Sequence, residues 1–333
     1  MKAAWTRWVA RFDATEPAYA LAIVRILLAL TILTCLVSIG VSGVLPLLWH
    51  DRAHGGMRDV SGAWWLVRLL GGPKAGLVDA IYALAVTGAG LLLLGIGGRA
   101  TPLVLGQLLM VLFSLNSTTG GGHDRVMTCT LFLLGFSGAS ETLSVPARVA
   151  TGRWLAPAIV PSWPRWVIFY QLGLIYMSTG MQKVGSDWLP WGDFRAIYYA
   201  LQLTEWARWE HTWAGTAWGY PVTQLGTMST MFLEWSGLVW VLAAWFAETP
   251  ERGGRLRAWS NRLHLRELYL VLGLGLHLGI WVTMNVGPFS PVMLSLYPCA
   301  YGGAWWARRL AAPRSDHSGQ VHSPSTSTAF DTR

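Results

Sequence analysis

Apolar residues gather in eight long runs, at 18–41, 76–97, 101–117, 126–145, 165–183, 225–247, 267–286 and 289–306, separated by shorter polar stretches. Crossing a bilayer takes about 20 mostly apolar residues, so each run predicts a transmembrane helix, the third and eighth being the shortest. Two connections, 49–75 and 184–224, are too long for simple turns. Each holds a Trp- or Tyr-rich amphipathic stretch, "MRDVSGAWWLVRLL" and "DFRAIYYALQLTEWA", of the kind that lies along a membrane interface. The expected fold is therefore all-α: a polytopic membrane helical bundle over 18–310, with about eight transmembrane helices plus interfacial helices. A cytoplasmic N-terminal segment, 1–17, precedes it. The tail 311–333 is rich in Ser, Thr and Pro and has too little apolar surface to pack, which predicts disorder.

Composition supports a membrane protein: 53% of residues are hydrophobic and 13% charged, against about 25% charged in a soluble domain. The net charge of +8 does not point to nucleic acid, because 22 of the 25 basic residues are arginines placed mostly between apolar runs. With the N-terminus inside, the inner segments hold 16 basic residues and the outer segments eight, which predicts that both termini are cytoplasmic. The expected location is a bacterial cytoplasmic membrane, with the first run as its own signal anchor. Cys35, Cys129 and Cys299 are far apart in apolar surroundings and read as buried thiols, so neither a disulfide framework nor a metal site is expected. No internal repeat is visible, which ranks a transporter low.

Ionisable groups within apolar runs are costly and usually face the bundle interior or a cavity. Arg25, two turns inside the first run, reads as an interfacial anchor or half of an ion pair. Asp79 and Glu141 lie near run ends and read as structural. Glu234, in "TMFLEWSGLVWVL", is mid-run and calls for a cationic partner or a functional role. His277 is also mid-run, and Asn285, eight residues on, can share its helix face. A lone histidine there is more often a satisfied core residue than a catalyst. His123 follows the glycine-rich "NSTTGGG" at the outer mouth of the fourth run and reads equally as a solvated loop residue or a site wall. Lys183, one of three lysines, ends the fifth run in "STGMQKVGSDWLPWG". Snorkelling is the ordinary reading of such a position, yet an amine, unlike a guanidinium, can lose its proton and serve as a base.

Three separated motifs, "NSTTGGGHDRVMTCTLFLLGFSGASETLSV", "YQLGLIYMSTGMQKVGSDWLPWGDFRAIYYALQL" and "HLGIWVTMNVGPFSPVML", resemble the HTTM family, whose relatives include the vitamin K-dependent gamma-glutamyl carboxylase. The resemblance implies that Lys183 takes the place of the catalytic base, that His123 and His277 match the family's histidines, and that Glu234 matches its mid-span acid. Trp188, Asp187, Tyr199, Gln171 and Asn285 are the supporting candidates for quinol or substrate. In the chemistry so implied, a neutral lysine deprotonates a reduced quinone of the vitamin K or menaquinone type and oxygen adds. The strong base that results removes a γ proton from a substrate glutamate, and the carbanion takes up carbon dioxide. The implied partners are membrane lipid, quinol and a secreted peptide substrate. Where the carboxylase has a large domain after its membrane region, a short polar tail follows here, and "SVPAR" stands where relatives have an acid. The residues also admit a non-catalytic factor for maturation, export or immunity of a secreted peptide, and a proton-coupled transporter built on Glu234 and His277.

Overall fold

A computed structural model describes Thr6 and residues 13–60, 64–116 and 118–310. The principal helices are α1 (Tyr19–Val41), α2 (Ala75–Leu94), α3 (Ala100–Leu115), α4 (Gly122–Leu134), α5 (Trp163–Gln182), α6 (Gly219–Trp235), α7 (Gly237–Glu248), α8 (Leu265–Thr283) and α9 (Phe289–Ser295). Helices α1 to α4 pack in sequence order, α5 packs on α6 and α7, and α8 packs on the same two. Helix α9 closes the arrangement by touching α1, α4 and α8. The 311–333 tail lies outside the described residues, as does most of 1–17. Within the latter, Thr15–Pro17 forms strand β1, paired antiparallel with β2 (Ile159–Pro161).

Three helices are long and apolar enough to cross a membrane, α1, α2 and α8, and the bent pair α6–α7 makes a fourth. By length and composition the described residues thus hold three or four such helices rather than the expected eight. Helix α3 has 16 residues, about 24 Å at 1.5 Å per residue against a hydrocarbon core of about 30 Å. The fourth run is helical only to Leu134 and continues as turns. In the eighth run, α9 stops after seven residues and gives way to a 3-10 turn at Tyr297–Ala300. The expected interfacial helices shrink to Trp65–Leu69 and Ala196–Gln202.

Leu30, Leu84, Val104, Phe132 and Val271 are all exposed on the outside of the bundle. An exposed apolar belt of this extent suits lipid rather than water. Cys129 is also exposed and Cys35 is half-buried, so of the three thiols only Cys299 is buried as expected. Both exceptions lie on helices whose outer faces are apolar, and there a thiol behaves as one more small apolar group.

Arg25 is buried rather than an interfacial anchor, and among the described residues it forms no ion pair. Its side chain is 1% exposed, and it donates to the carbonyls of Leu92, Leu93, Ala139 and Leu143. Leu92 and Leu93 lie in the last turn of α2, where the carbonyls carry the negative end of the helix dipole; the Leu92 carbonyl also accepts from the Gly95 amide. One guanidinium thus ties α1 to the end of α2 and to the turns after α4. Gly95 ends α2 at φ 71, the left-handed conformation that glycine adopts without strain.

Asp51, in the loop before α2, accepts hydrogen bonds from the backbone amides of Ala53 and Val60. These bonds favour the carboxylate and hold its pKa below the ordinary value. A depressed folded-state pKa contributes stability above the unfolded value, and that contribution is lost as pH falls through the folded value. The protection of the Val60 amide, its exchange rate relative to an unstructured amide at the same pH, is therefore expected to be high at neutral pH and to fall on acidification below the usual aspartate range. Asp51→Asn should remove the pH dependence.

Candidate functional site

Helix α5 begins with Pro164 in its first turn, where a missing N–H costs nothing, and ends at Lys183. Glycines at 173 and 180, two turns apart, line one face of α5. A Cβ at Gly173 would meet the Gly237 carbonyl, and one at Gly180 would lie 2.9 Å from the Glu234 Cβ and 2.6 Å from Trp235. A Cβ at Gly237 would in turn collide with the Gly173 carbonyl. These three glycines let α5 and the α6–α7 pair approach backbone to backbone, as small residues do in membrane bundles.

The close approach falls where α6 and α7 meet at a 66° bend. Glu234 is therefore not in the middle of a straight span; it occupies the last turn before the break, level with the end of α5. There Lys183 Nζ lies 2.5 Å from Glu234 Oε2 and 3.5 Å from the Thr179 carbonyl. The Trp188 ring, on the turn after α5, lies 5.1 Å from the amine. The lysine side chain is 21% exposed and the glutamate 10%, so the pair is shielded without being sealed. The Trp235 indole donates to the Gly180 carbonyl at 2.8 Å and pins the crossing. Gly180→Leu is expected to force Glu234 away from Lys183 and to cost about 1–3 kcal/mol, measurable by thermal unfolding in detergent. Gly76→Leu, at a position with open space around it, serves as the control.

Two turns before Lys183 on α5, the buried Tyr176 hydroxyl bonds His277 Nε2 of α8 at 2.7 Å and the Tyr297 hydroxyl at 2.6 Å. Gly273, one turn before His277, makes room for the Tyr297 phenol, which a Cβ there would strike. Trp240 and Phe289 flank this trio.

The other expected residues are not drawn into this arrangement. His123 folds back over Gly121 and its Nε2 lies 3.4 Å from Asp124. Among the described residues no hydrogen bond or ion pair joins it to Lys183, Glu234 or His277. Asp187 pairs with Arg195 at 3.4 Å, and Tyr199 packs beside the same guanidinium. Gln171 is half-buried on α5. Asn285 does not share a helix face with His277, because α8 ends at Thr283; Asn285 is exposed and its backbone amide donates to the Trp206 carbonyl. Asp79 pairs with the buried His50 at 2.9 Å. A cavity of about 370 Å³ opens at loop 203–212, lined by Gln202, Trp209, Glu210 and His211 among others. None of the expected site residues lines it.

The sequence carries no plain mark of Tyr176, Tyr297 or the glycine triplet. A phenol in an apolar run carries no charge to mark it, and only the 173/180 spacing hinted at a close crossing.

Apolar helices, an exposed apolar belt and an interior lysine–carboxylate pair define a helical membrane protein with a polar centre. The HTTM domain model matches residues 12–246, and the chain belongs to the HTTM family. The match takes in His123, Lys183 and Glu234, while His277 lies beyond it. No curated protein and no solved structure matches the chain.

Proposed function

We propose that the protein is a quinol-dependent membrane enzyme of the vitamin K-dependent gamma-carboxylase type, with Lys183 as its base. The observation that carries this reading is the 2.5 Å contact between Lys183 Nζ and Glu234 Oε2 at a shielded helix crossing. An amine works as a base only in its neutral form. A lysine and a carboxylate in contact are neutral as a pair whichever atom holds the shared proton, so its passage to Glu234 frees the lone pair without creating net charge. Lys183 then accepts a proton from a bound hydroxyl, Glu234 holds the displaced one, and Trp188 keeps water from the amine. His277 offers a buried nitrogen to a ligand oxygen, and His123 stands at the glycine-rich mouth.

A reduced quinone of the vitamin K or menaquinone type, with oxygen and carbon dioxide as co-substrates, would supply the oxidative driving force for carboxylating a peptide glutamate. The donor set fits such a group: an amine–carboxyl pair, a flat indole and an imidazole nitrogen with no partner among the described residues. In this reading eight apolar segments embed the bundle, with both termini cytoplasmic and Lys183 at the outer face. A hydrophobic quinol then enters from the lipid, and a secreted peptide meets the site from outside.

Detergent-purified protein incubated with reduced menaquinone or vitamin K and oxygen is expected to yield the quinone epoxide, detected by mass spectrometry. Folded protein that leaves both quinols unchanged would contradict the reading and favour a non-enzymatic factor for peptide maturation.

A further inference from the structure

His277 is 0% exposed, and its Nδ1 has no hydrogen-bond partner among the described residues. Its Nε2 faces the Tyr176 hydroxyl, which faces the Tyr297 hydroxyl. Each phenol has one proton to give. If Tyr297 donates to Tyr176 and Tyr176 donates to Nε2, both phenol protons are used and Nε2 is the acceptor. The ring proton then sits on Nδ1, and one polar group is left over. If Nε2 instead donates to Tyr176, a phenol proton is left without an acceptor and Nδ1 becomes a bare lone pair, so two groups are left over. Buried polar groups are rarely unsatisfied, and the first arrangement has fewer. A doubly protonated ring would bury a charge with no carboxylate paired to it, the costlier state.

Two more buried oxygens without partners, Ser290 Oγ and Thr130 Oγ1, lie on α9 and α4. Helix α9 packs against both α8 and α4. Three of the four unpartnered buried side-chain atoms among the described residues thus belong to α9 or to a helix packed on it.

We infer that Tyr176 and Tyr297 hold His277 as the Nδ1–H tautomer, and that this N–H is a hydrogen-bond donor for an oxygen of the bound substrate rather than a base. The substrate oxygen being that of a quinone or quinol rests on the function proposed above; the tautomer does not. Tyr176 and Tyr297 are positioning residues. The division of labour is that Lys183 takes the proton while His277 steadies negative charge developing on oxygen, the task that preorganised donors perform in a water-poor site.

The test is ¹⁵N NMR of the full chain, labelled at histidine and held in lipid nanodiscs, with His277→Gln identifying the signal among eight histidines. Wild type is expected to show a protonated Nδ1 and a bare Nε2. Tyr297→Phe should keep that tautomer, because Tyr176 still donates to Nε2. Tyr176→Phe should move proton population onto Nε2. Addition of menaquinone should shift the Nδ1–H resonance. A bare Nδ1 in wild type overturns the inference, as does a Tyr176→Phe spectrum identical to wild type. A His277 Nδ1–H signal unmoved by menaquinone overturns the donor assignment. The epoxidation assay judges the quinol reading separately, since a protein without turnover still displays its tautomer.

Discussion

Arg165→Met is expected to destabilise the folded bundle by about 3–5 kcal/mol, the cost of breaking a buried ion pair from one side. The Arg165 side chain is 1% exposed. Its Nε meets both oxygens of Glu16 at 2.7 and 3.0 Å. Its terminal nitrogens meet Glu248 at 3.1 and 2.8 Å and the Cys299 carbonyl at 2.8 Å. One guanidinium therefore ties the start of α5 to strand β1, to the end of α7 and to the turn after α9. Methionine keeps much of the volume but leaves two carboxylates facing each other without a cation. Arg165→Lys should recover only part of the loss, because an ammonium cannot reproduce the planar fork that engages both acids. Denaturant unfolding in detergent reads the effect, and a loss below about 1 kcal/mol, the range of an exposed pair, would show that the network is not a clasp.

Glu234→Gln is expected to lower quinol epoxidation by about 100-fold or more, the scale of a general acid–base contribution, while changing stability far less. The amide matches the carboxyl in shape and still accepts a hydrogen bond from Lys183, but it cannot take the ammonium proton. Because the lysine side chain is 21% exposed, its charge can turn toward water when the carboxylate is gone, which limits the cost to folding. Glu234→Asp keeps the acid on a shorter stem and should retain intermediate activity. A Gln variant as active as wild type would remove Glu234 from proton transfer.

Much of the centre was legible because charge within apolar sequence is conspicuous. Lys183 stood out as a rare lysine at a run's end, and Glu234 as an acid with apolar neighbours in need of a cation; the structure brings the two together. Periodicity could not show that they would be level. Hydropathy reads 225–247 as one span, whereas the bend at Ser236 coincides with a backbone approach between Gly173 and Gly237 from separate helices. Arg25 misled in a related way, since its partners are carbonyls at the end of α2 and in the turns after α4, which no side-chain pattern announces. The short α4 and α9 were lost for another reason. An apolar run reports what avoids water, whether it coils as helix or, as after Leu134 and at Tyr297–Ala300, turns within the packed bundle. The tyrosines beside His277 combine both difficulties, being uncharged and contributed by different helices and turns.

The central claim is that Lys183 is the base, and the most direct measurement compares epoxide formation by wild type, Lys183→Ala and Lys183→Arg under identical quinol and oxygen. Alanine has no group to accept the proton, and arginine supplies the positive charge for Glu234 but cannot be deprotonated in a protein. The expected result is epoxide from wild type and none above background from either variant, with the Arg variant folded. Robust epoxidation by Lys183→Arg would contradict the assignment, because it would show that the site needs a cation beside Glu234 and not a base.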